Sequence, residues 1–177
     1  MIIEKTNIIF NMNKDNEPVM KCSSGDEVVF KTCDCFSDTI KSEKDLVSGI
    51  DFERVNPATG PLYIKEANVG DVLKVTINSI KLDNKGVVVT ASGLGRLKSH
   101  IKDEETVVCN IEGNYLNYKG IKIPLRKMIG VLGVSPKNDK ISTGNPYDHG
   151  GNLDCIEVTE GSSIYLPVNV KGALLSL

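Results

Sequence analysis

Three times along this chain a glycine turn feeds straight into a run of Val, Leu or Ile: Ser24-Gly25-Asp26, Val69-Gly70-Asp71 and Glu160-Gly161-Ser162. Glycine supplies the positive φ that a tight turn often needs, and the polar neighbour can bond the turn backbone. The apolar run after each turn is short. In Val72-Leu73-Lys74-Val75-Thr76-Ile77-Asn78 the apolar residues Leu73, Val75 and Ile77 alternate with Lys74, Thr76 and Asn78, the period-2 pattern of a half-buried strand. The pattern changes phase toward Ile80 and Leu82, which reads as a bulge or bend. Runs rich in β-branched or aromatic residues recur at 27–32, 87–90, 106–109 and 163–166, and Tyr115 to Pro124 reads as a hairpin turning near Lys119-Gly120. The turns are irregularly spaced, so this is no repeat array. Helix is scarce, its best candidate running from Thr39 to about Val47 with Ser37 as N-cap and Gly49 past the end. The expectation is a mainly β, sandwich-like single domain over 1–177, with short strands joined by Gly turns and at most one or two short helices.

Composition narrows the partners. Lys plus Arg number 21 and Asp plus Glu 23, a formal net charge of −2, so there is no broad basic face for nucleic acid. No apolar run approaches the ~20 residues that span a bilayer. The start, Met1-Ile2-Ile3-Glu4-Lys5, lacks a basic segment leading into an apolar one, so a cytoplasmic chain without membrane contact is expected. Five cysteines, an odd number at irregular spacing, argue against a disulfide framework. Cys33-Asp34-Cys35 could bind metal, but a lone C-x-C pair is a weak zinc signal beside the plainer reading of reduced, packed thiols.

Three stretches are unusual for plain scaffold. In Thr32-Cys33-Asp34-Cys35-Phe36 an acid ends an otherwise apolar strand; it is either a paired or metal-bound carboxylate or a turn Asp that accepts backbone N–H bonds. Asn56-Pro57-Ala58-Thr59-Gly60-Pro61 is a stiff loop of the kind that frames a pocket, or simply a turn. Gly144 to Asp154 sets His149, Asn152 and Asp154 around Gly150-Gly151. Two glycines allow close backbone approach to a ligand, and an imidazole with a carboxylate is donor material for a divalent ion. The spacing alone equally fits a hydrogen-bonded turn histidine. The other histidine, His100, sits in a charged stretch and reads as solvated. No dinucleotide fingerprint and no G-x-S-x-G elbow is present.

Together these residues resemble the acetamidase/formamidase family. The resemblance is carried by Asn56-Pro57-Ala58-Thr59-Gly60-Pro61-Leu62-Tyr63-Ile64 with Gly70-Asp71-Val72-Leu73, by Gly130-Val131-Leu132-Gly133-Val134-Ser135-Pro136, and by His149-Gly150-Gly151-Asn152-Leu153-Asp154 with 161–168 and Gly172-Ala173-Leu174-Leu175. It implies a mainly β, oligomeric, metal-dependent hydrolase that converts short linear amides such as formamide or acetamide to a carboxylate and ammonia. In this reading a divalent ion, zinc by preference, is held by His149 and Asp154, with Asp34 as third ligand or general base. Asn152 bonds the carbonyl or oxyanion, and Asn56, Thr59 and Gly60 shape the substrate pocket.

The family pattern runs on from the Gly-Ala-Leu strand into Gly-Asp-x-His-Ala and Gly-Asp-Gly-Glu stretches, whereas this sequence stops at Leu175-Ser176-Leu177. Two expectations arise from this. The 177 residues hold part of the site and are inactive or nearly so alone, and the apolar 173–175 end is left uncovered. The alternative is a shortened, non-catalytic β module that binds an ion or partner.

Overall fold

The computed structural model describes all of residues 1–177, and strands dominate it: helix makes up only 3% of the chain. Eight strands precede residue 80: β1 (Ile2–Ile3), β2 (Ile8–Ile9), β3 (Asn11–Met12), β4 (Met20–Cys22), β5 (Val29–Phe30), β6 (Ala58–Thr59), β7 (Leu62–Ile64) and β8 (Val72–Thr76). Then come β9 (Lys85–Thr90), β10 (Glu105–Glu112), β11 (Tyr115–Tyr118), β12 (Ile121–Pro124), β13 (Val131–Gly133), β14 (Ile141–Ser142), β15 (Gly150–Asn152) and β16 (Ser163–Pro167). The only helical pieces are two 3₁₀ turns, Val47–Gly49 and Phe52–Arg54. The sequence reads as a single domain over 1–177; by its contacts the chain forms two compact units, 1–37 with 53–80 and 128–177, and 38–52 with 81–127.

The first unit is built from strand pairs around one core. The alternation in β8 appears as expected: Leu73 and Val75 turn inward, Val72, Lys74 and Thr76 are exposed, and Ile77 just beyond is 6% exposed. β8 ends at Thr76 and pairs antiparallel with β16, Ile164 opposite Val75. The chain's last residues join two further pairs. Leu175 bridges to Leu62 of β7 and Ser176 to Gly133 of β13, both antiparallel, so the order runs β4, β7, 175–177, β13, β15. The 173–175 end is therefore not uncovered: Ala173, Leu174 and Leu175 are 0%, 7% and 5% exposed. They join Ile3, Leu62, Leu132, Val134 and Leu166 in the core cluster or beside it. Each of the Leu, Ile and Val side chains, fully buried, contributes about 1.5–3 kcal/mol.

The second unit is a four-stranded antiparallel meander in the order β12-β11-β10-β9. Its hairpin turns where expected, with positive φ at both Lys119 (49°) and Gly120 (85°), the backbone that lets a two-residue loop match the strand twist. No helix forms over Thr39–Val47. The Asp45 carboxylate instead accepts the N–H groups of Lys41 (2.9 Å) and Ser42 (2.8 Å), and the Asp45 N–H returns to the Ser42 carbonyl, 3.1 Å. These local side-chain bonds take the donors that a helix start would leave open and close a turn.

Candidate functional site

β13 and β15 lie antiparallel, Leu132 opposite Gly151 and Gly133 opposite Gly150, with main chains too close for any side chain between them. A Cβ on Gly150 would sit 2.3 Å from the Leu132 carbonyl oxygen, and one on Gly151 2.2 Å from that of Asn145. Both glycines also hold positive φ, 96° and 99°, so two constraints select glycine there. Just before them Tyr147 and Gly150 exchange backbone hydrogen bonds in both directions, each 2.9 Å, closing a tight turn around Asp148-His149. The His149 carbonyl accepts the Val134 N–H at 2.9 Å. The histidine is thus anchored through its backbone on both sides.

Its ring is another matter. His149 is 2% exposed, and both Nδ1 and Nε2 are buried without a hydrogen-bond partner. A buried polar atom left unpaired costs about 1–3 kcal/mol. Burial lowers the imidazole pKa below its ordinary value, partly opposed by the Asp148 carboxylate, so the ring is held neutral. A neutral ring keeps one nitrogen lone pair able to accept a proton. Beside it opens a cleft of about 520 Å³ whose walls include Lys137, Asn145, Tyr147, Asp148 and Asn169. The Tyr147 ring lies 6.3 Å from the His149 ring at 26°.

The other expected residues are placed differently. Asp34 does not end a strand: β5 stops at Phe30, and Asp34 is exposed in a turn where its Oδ1 accepts the Phe36 N–H at 2.9 Å. That is the turn reading. Asp154 is exposed with φ 42°, its N–H bonded to the Gly130 carbonyl at 3.1 Å. Asp34 and Asp154 act together on one neighbour. The Cys35 thiol, although its residue is exposed, is crowded enough by surrounding chain to be desolvated, and that, then the Asp34 carboxylate and least the Asp154 one, pushes it up to about 11. Asn152 closes β15 and donates from Nδ2 to the Gly144 carbonyl at 3.4 Å, and it does not line the cleft.

The 56–61 loop serves the fold. Asn56 takes a left-handed turn, φ 54°, and its N–H bonds the Cys35 carbonyl at 2.7 Å. Thr59 is 1% exposed, its Oγ1 donating to the Lys31 carbonyl at 3.0 Å while its backbone pairs with Leu177. A Cβ on Gly60 would meet Ser176 Oγ at 2.8 Å. Thr59 and Gly60 therefore lie against residues 175–177, and none of the three lines the cleft beside His149. The lining residues without a motif of their own include Asn145 and Tyr147, inside the 144–154 stretch, and Lys137 and Asn169, which the fold brings alongside.

A catalytic zinc asks for three protein donors and one open position. His149 offers an orphaned imidazole, but no group of three or more His, Cys, Asp or Glu side chains gathers anywhere in the chain. Asp34, His149 and Asp154 thus do not form a complete donor set, and these residues do not by themselves fit the ion. All five cysteines are free.

A sequence profile of the acetamidase/formamidase family matches residues 3–147. The chain belongs to that family. Its fold superposes on the crystal structure of an acetamidase from Bacillus halodurans with a TM-score of 0.97 and 46% identity, covering 100% of this chain and 60% of that one. Among curated proteins it is 23% identical over 214 residues to a formamidase-type protein of Schizosaccharomyces pombe, covering 86% of this chain and 52% of that protein. It is 22% identical over 193 residues to a formamidase of Methylophilus methylotrophus, covering 74% and 46%. The chain thus spans about half the length of the curated relatives it matches. No helix of the acetamidase/formamidase chain is long and apolar enough to cross a membrane.

Proposed function

We propose that this chain provides the His149 side of the active site of a hydrolase acting on short linear amides of the formamide and acetamide type. The observation that supports this reading is the buried, unpartnered imidazole at the cleft, on a turn whose glycines leave no room for a side chain, in a chain of this family. The reaction joins water to the amide: the water oxygen bonds the carbonyl carbon, the carbon–nitrogen bond breaks, and carboxylate and ammonium result. His149, neutral because it is buried, accepts the proton of the attacking water and returns it to the leaving nitrogen, a role worth about 10²–10⁴ in rate. Asn145 and Asn169, both on the cleft wall, supply amide groups able to bond the carbonyl.

A second reading is favoured by one observation. Because no three donors gather, the 177 residues can be a family module that binds without turnover. Ammonia release separates the two. Residues 1–177 are exchanged for the matching portion of the Bacillus halodurans acetamidase, and release from formamide and acetamide is followed with and without His149→Ala. Activity that depends on His149 supports the hydrolase. A folded, inactive hybrid supports the module.

A further inference from the structure

Tyr147 is 65% exposed, yet nothing about its position is loose. Its backbone is locked to Gly150 by two hydrogen bonds, and Gly150 and Gly151 are wedged against Leu132 and Asn145. The backbone of the turn is thus held by hydrogen bonds and close packing, while the Tyr147 side chain stands mostly in solvent. Residues 147 and 149 flank Asp148 in this turn, and their rings lie near parallel, 6.3 Å apart at 26°. Both line the cleft. The second, independent observation is His149 itself, 2% exposed with neither ring nitrogen satisfied. A ligand that bonds this imidazole from the cleft has to pass the side chain that flanks it there, and the exposed ring beside it is Tyr147.

We infer that Tyr147 is the specificity-determining side chain of this site: its ring screens His149 and sets the size of the group that reaches the imidazole. The inference rests on reading the cleft as the amide site. A small acyl group, hydrogen or methyl, passes beside the ring. A branched one requires the ring to leave. Truncating Tyr147 should cost the fold little, because the side chain is mostly in solvent, so the change falls on access.

The chain carries two histidines, and His100 is exposed in the other unit, so it serves as an internal reference. The imidazole ¹⁵N resonances of the 177-residue chain are followed during titration with formamide, acetamide and pivalamide. In the wild type the two small amides should shift His149 and pivalamide should not. In Tyr147→Ala all three should shift it, Tyr147→Phe should behave as the wild type, and His100 should stay still. In parallel, diethyl pyrocarbonate labelling is read by mass spectrometry, a probe that involves no amide. The ratio of His149 to His100 labelling should rise severalfold in Tyr147→Ala and remain low in Tyr147→Phe. A rise in labelling without any amide shift would overturn the amide reading and leave the gate standing. An unchanged labelling ratio in folded Tyr147→Ala, or a wild type already shifted by pivalamide, would overturn the gate itself.

Discussion

Alanine at Gly151 tests whether the turn that presents His149 is held by close backbone packing. Two penalties act there. The first is conformational: Gly151 has φ 99°, and placing an L side chain at such a φ costs about 1–2 kcal/mol. The second is steric: the new Cβ would fall 2.2 Å from the Asn145 carbonyl oxygen. Backbone oxygen cannot rotate aside as a side chain can, so strand or turn must shift, at about 1–3 kcal/mol. The sum is about 2–5 kcal/mol against a typical domain stability of about 5–15 kcal/mol. Gly161 is the control, since its φ is 81° but a Cβ there would meet nothing within 4 Å. Only the first penalty applies to it, about 1–2 kcal/mol. With a urea slope of roughly 2 kcal/mol per molar, the unfolding midpoint should fall by about 1–2.5 M in Gly151→Ala and about 0.5–1 M in Gly161→Ala. Far-UV circular dichroism during a urea titration gives both midpoints, and equal losses would refute the packing argument.

Three further outcomes are expected. The folded chain disfavours charged His149, so stability should be unchanged above the unfolded pKa of about 6.5 and be lost as pH falls below it; urea melts at several pH values should show His149→Gln losing less on acidification than the wild type. Because no three donors converge, zinc titration by calorimetry should find no tight stoichiometric site in the 177-residue chain, and a tight site abolished by His149→Ala would contradict this. Leu175→Ala empties a core position 5% exposed and should cost about 2–5 kcal/mol in the same urea assay, whereas a negligible loss would mean residues 175–177 are not part of the core.

The local features were legible because they are written locally. The alternation of Leu73, Val75 and Ile77 and the Lys119-Gly120 turn depend on neighbours in sequence, and both stand in the structure where expected. The 39–47 helix failed because Asp45 supplies local bonds that compete with it. In the site, His149 and its glycines were readable as a motif, but what a residue faces is set by distant strands. The sequence does not tell that Gly60 lies against Ser176 or that an Asp34 oxygen caps its own turn, because both depend on how the chain folds back on itself. Lys137 and Asn169 carry no motif, and only the fold brings them to the cleft.

Proton transfer by His149 during amide hydrolysis is tested most directly by ammonia release from acetamide by the hybrid in which residues 1–177 replace the matching portion of the Bacillus halodurans acetamidase. The 177-residue chain alone should release little or none. The hybrid should be active, and His149→Ala should lower its rate by about a hundredfold or more while its circular dichroism spectrum is unchanged. A hybrid that hydrolyses acetamide equally well with alanine at position 149 would contradict proton transfer by His149.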